Sequence, residues 1–189
     1  MSSKLTPGHI AWLLPAAALG AACAPLQAFA VQYLSVEQAQ KVLFPTATEF
    51  KPRTLLLTEA QRSAIAKAAD ARVRTAEVKA WEARSAQGLL GTIVIDDVYG
   101  KHEFITYAVA VLPDGSVKQV EILDYRESYG GQVRGDAWRA QFAGKTRAAA
   151  LQVDKDIQNI SGATLSCVHV TDGVRRILAT YELALKPAS

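Results

Sequence analysis

The apolar positions of this chain keep three different rhythms along its length. From Ile10 to Leu26 (IAWLLPAAALGAACAPL) they form one nearly unbroken run, rich in alanine and interrupted by Pro15 and Pro25. Between Val36 and Ala69 they fall at helical spacing. Ser35-Val36-Glu37-Gln38 is a capping box, in which the serine oxygen accepts from the third helical N–H and the glutamine reaches back. It predicts a short helix from Val36 to about Leu43, ended by Phe44-Pro45. Thr58-Glu59-Ala60-Gln61 is a second box, opening a helix in which Ala60, Ala64, Ile65, Ala68 and Ala69 share one face. From about Glu77 the rhythm becomes that of strands, over 77–83, 89–99, 104–112 and 117–125. Turn signals separate them at Ser85 to Gly88, Gly100 and Pro113-Asp114-Gly115. Asp136 reads as the N-cap of a helix from Ala137 to Phe142 that ends at Gly144. Val170, Val174, Ile177, Leu178 and Tyr181 give the last segment, from about Thr164 to Leu183, a helical period. Gly173 interrupts it at a cost of about 1 kcal/mol relative to alanine.

These elements predict an α+β fold. An antiparallel β-meander of about four strands carries helices packed on one face and is preceded by a short helical N-terminal segment. The expected division is a leader over 1–30, a helical extension over 31–76 and a main domain over 77–185.

Charge changes the reading of the first segment. Lys4 and Glu37 bracket a stretch with no formal charge, and the apolar run ends at Ala28-Phe29-Ala30, an A-x-A cleavage signal. With Lys4 and His9 as a weakly basic start, this is the pattern of a secretory signal peptide. The mature chain is then periplasmic or extracytoplasmic and begins at Val31. An alternative is an uncleaved anchor in the inner membrane, because the run approaches the ~20 residues a span needs. A lipoprotein acylated on Cys23 fits less well, since Leu19 lies one position too far from the cysteine. Cleavage leaves Cys167 as the single thiol, so stability rests on burial rather than disulfides, and haem attachment through C-x-x-C-H is excluded.

Composition narrows the function classes. Of 189 residues, 50% are hydrophobic and 21% charged, enough for a packed core and too apolar for a disordered chain. The 21 Lys plus Arg interleave with 18 Asp plus Glu and form no basic stripe, which sets nucleic acid aside. Cys167 and His169 fall short of the three or four ligands a metal site needs. They read as structural, with a redox-active thiol in the first helical turn as the alternative. Asp96, Asp97 and Glu103 read as solvated charges around a hairpin, and His102 as a turn residue. No nucleophile is paired with a base, so no catalytic residue and no hydrolytic chemistry are assigned.

Two segments carry chemistry. Ser161-Gly162-Ala163-Thr164 opens the final helix, where backbone N–H groups lack internal partners and the dipole is positive. Small residues and hydroxyls there suit a phosphate, or equally a plain Ser or Thr N-cap after a tight turn. Tyr125 to Gly135 (YRESYGGQVRG) is a glycine-rich loop.

SGATLS, Ser161 to Ser166, resembles the flavinylation motif of the FMN-binding domain family. That family includes flavin-carrying components of the sodium-pumping NADH:quinone oxidoreductase and of Rnf complexes. Its S-G-A-T threonine carries FMN through a phosphoester. The resemblance therefore implies Thr164 as the attachment point, with Ser161, Gly162, Ala163, Leu165 and Ser166 around the cofactor. Glu127-Ser128-Tyr129-Gly130-Gly131, followed by Trp138, Phe142 and Gly144-Lys145, resembles the family's E-T-P-G-x-G-G loop and W…F-x-G-K helix in order and spacing. It implies cofactor contact by Glu127, Ser128, Tyr129, Gly130, Gly131 and Trp138. Phe142 and Tyr125 read as core aromatics, and core packing is the alternative for Trp138. The similarity spans about Glu77 to Leu185.

Two positions depart from the pattern. Gln158 stands where members often carry Asp, six residues before the modified threonine, with Asp156 two places upstream as a substitute carboxylate. Tyr129 replaces Pro. On this resemblance the expected function is an exported electron-transfer protein, its FMN attached by a flavin transferase and its redox donor and acceptor membrane-bound or periplasmic. One alternative is a flavin-dependent extracytoplasmic reductase, for which the small flavin domain leaves little material for a second pocket. The other is a non-redox envelope binding protein in which S-G-A-T is only a cap.

Overall fold

The computed structural model describes residues 31–187, Tyr33 excepted. The expected signal peptide lies outside the described residues. Among the described residues, no helix is long and apolar enough to cross a membrane.

The meander forms as the alternation predicts. Strands β1 (Val31–Gln32), β2 (Glu49–Pro52), β3 (Leu55–Leu56), β4 (Glu77–Ser85), β5 (Gly88–Tyr99), β6 (Phe104–Val111) and β7 (Val117–Tyr125) form the sheet, in the order β1-β7-β6-β5-β4-β2, with β3 also paired to β4. All of these pairings are antiparallel. Helix α1 (Val36–Leu43) and helix α2 (Glu59–Ala69) start at the two capping boxes, and both reciprocal hydrogen bonds are present in each.

The 31–76 segment holds more than helices. β2 and β3 lie on β4, with Phe50 opposite Ala83 and Leu55 opposite Val78, so the segment extends the sheet. Periodicity missed them because Glu49-Phe50-Lys51-Pro52 has one apolar residue between charges and ends on proline. Those are marks of an edge strand whose pattern is too short to register.

The helices that follow the meander share one face, as expected, while α1 of the N-terminal segment covers the other. Alternation sends Val94, Val98, Ile105, Tyr107, Val109, Val120 and Ile122 to one side, where they meet helix α4 (Thr164–Thr180). Ile93, Ala108, Ala110 and Leu123 point to the other, where Ala39 and Leu43 of α1 and Phe44 cover them. α2 joins α4 on the first side through Ile65, Ala69, Leu57 and Ala179. Both faces of the strands are apolar, so each needs a cover.

After β7 the chain runs through a one-turn 3-10 segment (Gly131–Arg134), helix α3 (Asp136–Arg139) and a second 3-10 turn (Ala140–Phe142). Asp136 lies inside α3 and does not cap it, because its carboxylate accepts from the Arg139 guanidinium instead. Arg139 also pairs with the buried Glu121 of β7 and donates to Val120 O at 2.8 Å, which fixes α3 to the sheet. Asp156 organises the irregular stretch before α4. Its carboxylate accepts from Lys145 Nζ (3.1 Å), Leu151 N (3.1 Å) and Gln152 N (2.8 Å). α4 closes with a π turn over Tyr181–Leu185.

Gly173, costly by propensity, has a packing reason. A Cβ there would lie 1.9 Å from the hydroxyl of Tyr107, so α4 crosses β6 only because this position is bare. Tyr107 is fully buried, and its hydroxyl donates to Asp96 at 3.1 Å. Asp96 in turn pairs with Arg176 of α4. Asp96 is thus part of a partly buried network, and the reading of it as a solvated hairpin charge does not hold.

Candidate functional site

The two motifs, distant in the chain, meet at the N-terminal end of α4. Thr164 is its first residue and is exposed, as are Ser161 and Gly162. Ala163 occupies the N-cap position, and no side chain caps the helix. The reading of this turn as an ordinary hydroxyl cap therefore fails: neither Ser161 nor Thr164 satisfies the first-turn N–H groups, and these remain available for an anion. Gly162 adopts φ +82° with open space where a Cβ would stand, so glycine serves the left-handed turn rather than a close approach of chain segments.

The glycine loop lies directly against this turn. Gly130 has φ +83°, and a Cβ on it would come 2.8 Å from the Tyr125 hydroxyl and 3.2 Å from both Cα and Cβ of Ala163. The Tyr125 hydroxyl donates to Tyr129 O at 2.5 Å and lies 3.1 Å from Oγ of the buried Ser166. One phenol thus bridges the loop and the first turn of α4. Burial pushes the Tyr125 hydroxyl above its ordinary pKa, so it stays protonated through the neutral range. Arg134 places its guanidinium 5.7 Å from the centre of the Tyr125 ring and donates from Nε to Gly131 O at 2.7 Å.

Other residues read from sequence take different positions. Tyr129, next to Gly130 in the loop, is 84% exposed, and Leu165, next to Thr164, is 45% exposed. Ser128 is exposed at the loop tip. Glu127 turns away from this end, and its Oε1 accepts from the N–H groups of Lys101, His102 (2.6 Å) and Glu103 (3.1 Å) in the β5–β6 hairpin. Trp138 is 5% exposed, packs edge-on against Phe142 at 5.1 Å and donates from Nε1 to Gln158 O at 2.8 Å. It belongs to the core and holds the backbone of the stretch leading into α4. Cys167 is wholly buried and burial raises its thiol pKa, so the reactive-thiol alternative has no support. Asp156 uses both carboxylate oxygens to accept from Lys145, Leu151 and Gln152.

Sequence reading missed the role of Tyr125, which it placed only as a core aromatic. No motif flags it, because its contact with Ser166 spans 41 positions.

The residues present fit the phosphate end of a flavin mononucleotide. An uncapped helix start, a hydroxyl exposed on it and a left-handed glycine before it form a donor set suited to a phosphate. Leu165 beside Thr164 and Tyr129 on the facing loop offer exposed apolar surface. Residues 100–179 match the sequence profile of the FMN-binding domain family. The chain carries an FMN-binding domain, and its cofactor is FMN. The match contains the glycine loop, α3 and the Ser161–Thr164 turn. Among solved structures the chain is similar to the crystal structure of NqrC from Shewanella oneidensis, with 19% identity over 77% of this chain and 82% of that one and a TM-score of 0.47. No curated protein matches the chain.

A cleft of about 560 Å³ lies elsewhere, lined by Val73, Arg74, Lys79, Phe104, Arg126 and Arg176 among others, and it includes neither Thr164 nor the glycine loop. Its walls come jointly from the main domain and from Leu57, Val73, Arg74 and Thr75 of the N-terminal segment.

Proposed function

We propose that this protein is an exported electron carrier whose FMN is joined through its phosphate to Thr164 Oγ1. The observation that carries the reading is the exposure of Thr164 on a helix start with no side-chain cap, against the loop at Gly130. When bound, FMN supplies one- and two-electron redox chemistry. The chain's own contribution is placement. First-turn N–H groups of α4 would hold the phosphate, and Gly130 lets the loop approach Ala163 closely. Trp138 and Asp156 fix the backbone leading into the turn. Attachment has a physical use outside the cytoplasm, where free flavin is dilute, because a tether replaces a concentration-dependent equilibrium with permanent occupancy. A flavin transferase makes the link: Thr164 Oγ1 gives up its proton and displaces a nucleotide leaving group from the phosphate of a flavin dinucleotide. A membrane or periplasmic donor and acceptor exchange electrons with the product.

Intact mass of protein exported from a host containing the transferase tests this reading. The expected result is an increase of one FMN less one water on a chain beginning at Val31, with yellow colour retained after denaturation. An unmodified, colourless product overturns the linkage.

A second reading, a flavin-dependent reductase, has one observation in its favour, the 560 Å³ cleft, a size typical of small-molecule sites. Sustained turnover of a small acceptor by the isolated holoprotein supports it. Reduction of partner proteins alone supports the carrier.

A further inference from the structure

We propose that Tyr125 is a positioning residue for the flavin, an inference that rests on the placement of FMN at Thr164. Its hydroxyl touches both halves of the site. It donates to Tyr129 O at 2.5 Å on the loop side and meets Ser166 Oγ at 3.1 Å two residues into α4. Gly130, between those contacts, runs so close that any Cβ would strike the same hydroxyl at 2.8 Å. A buried phenol therefore ties the loop to the first turn of α4. Its ring is fixed by the core at 5% exposure and by the Arg134 guanidinium above it.

This arrangement has a defined consequence. With the hydroxyl in place, the loop is ordered before the cofactor arrives and binding does not have to meet that ordering entropy. Without it, Tyr129 O and Ser166 Oγ lose a partner and the loop is free to drift from the helix start. Tyr125 touches neither the reacting ring nor the ester oxygen on this reading, so its effect is on affinity and on the flavin's surroundings.

The test compares wild type, Tyr125→Phe, Ser166→Ala and Tyr107→Phe as full mature chains. Tyr107 is the control: it is another buried tyrosine hydroxyl of the same sheet, bonded to Asp96 rather than to the loop. Apo protein is titrated with FMN by fluorescence quenching, and the reduction potential is measured on covalently loaded protein. Tyr125→Phe is expected to weaken FMN binding roughly tenfold and Ser166→Ala roughly threefold, as two bonds and one bond are lost. Both are expected to shift the potential, while Tyr107→Phe changes stability alone. Should Tyr125→Phe not fold, Ser166→Ala carries the comparison. Unchanged affinity and potential in both site variants overturn the positioning role while leaving FMN at Thr164 intact. A wild-type chain that loads FMN elsewhere, located by peptide mass mapping, overturns both.

Discussion

Gly130 and Ala163 stand so close that a Cβ on the glycine would lie 3.2 Å from the alanine Cα. That contact joins the glycine loop to the residue before Thr164, and it sets a specific demand on position 130. Gly130→Ala adds a methyl at φ +83°, a left-handed conformation costing about 1 to 2 kcal/mol for a residue with a Cβ, and drives it against Tyr125 and Ala163. The loop must retreat from α4. Urea unfolding is expected to show a loss of about 2 kcal/mol, with FMN affinity falling in parallel. Gly162→Ala is the informative comparison, since its φ is nearly the same but its surroundings are open. It is expected to lose only the backbone contribution.

Glu127 gives the fold an acid-sensitive joint. Burial opposes its ionisation, but the N–H groups of His102, Glu103 and Lys101 outweigh that and hold the carboxyl below its ordinary value. A depressed folded pKa means that the stabilisation is present above the unfolded value and is lost as pH falls through the folded one. Asp156 is lowered too, by the Gln152 N–H and Lys145 against the opposing effect of burial, and titrates in the same direction. The measurement is therefore the difference between wild type and Glu127→Gln. Hydrogen exchange of residues 100–104 is expected to accelerate in wild type below the usual glutamate range, and to be fast and less pH-dependent in the variant. Identical acid profiles would break the link between this carboxylate and the hairpin.

Much of this architecture was legible from residue patterns, and the failures have physical causes. Both capping boxes formed because their signal is local, complete within four residues. The meander formed because alternation over eight or more positions leaves little choice of face. β2 was invisible because one phenylalanine between charges has no period. Asp136 looked like a cap, but a carboxylate within reach of Arg139 had a better partner. In the candidate site, the glycines and Thr164 were readable from composition and order. The bridging role of Tyr125 was not, since it depends on Ser166 arriving from 41 positions away. The burial of Trp138 was equally hidden, because an aromatic in a motif looks the same whether it faces a ligand or the core.

Gly173 tests whether packing outweighs propensity in α4. Alanine at this position gains about 1 kcal/mol of helix propensity, but its Cβ would sit 1.9 Å from the Tyr107 oxygen and 2.8 Å from its ring carbon. Overpacking of that kind costs about 1 to 3 kcal/mol or more. Gly173→Ala is therefore expected to be net destabilising in thermal or urea unfolding. Tyr107→Phe removes the nearer atom, so the double variant is expected to recover part of the loss, with a coupling of roughly 0.5 to 3 kcal/mol. Strict additivity would show that α4 shifts as a body rather than meeting Tyr107.

Thr164 carries the sharpest prediction, because it separates attachment from binding. Thr164→Val keeps the side chain's shape and removes its hydroxyl. The residue is exposed and caps nothing, so stability is expected to change by less than about 0.5 kcal/mol, while covalent flavin is abolished. Reversible FMN binding is expected to survive, because the first-turn N–H groups of α4 remain. Ser161→Ala is expected to keep the covalent flavin. Intact mass and colour after denaturation read both outcomes, and a Thr164→Val protein that still retains FMN after unfolding would move the ester to Ser161 or Ser166. Gln158 supplies the remaining control. Its backbone N–H donates to Gln141 Oε1 at 2.7 Å and its carbonyl accepts from Trp138, while its side chain is exposed. Gln158→Asp therefore leaves the fold in place and supplies a carboxylate six residues before Thr164. The expected outcome is a faster or more complete attachment of FMN in the presence of the transferase, with reversible affinity unchanged. An equal extent and rate of loading would show that the enzyme does not read position 158.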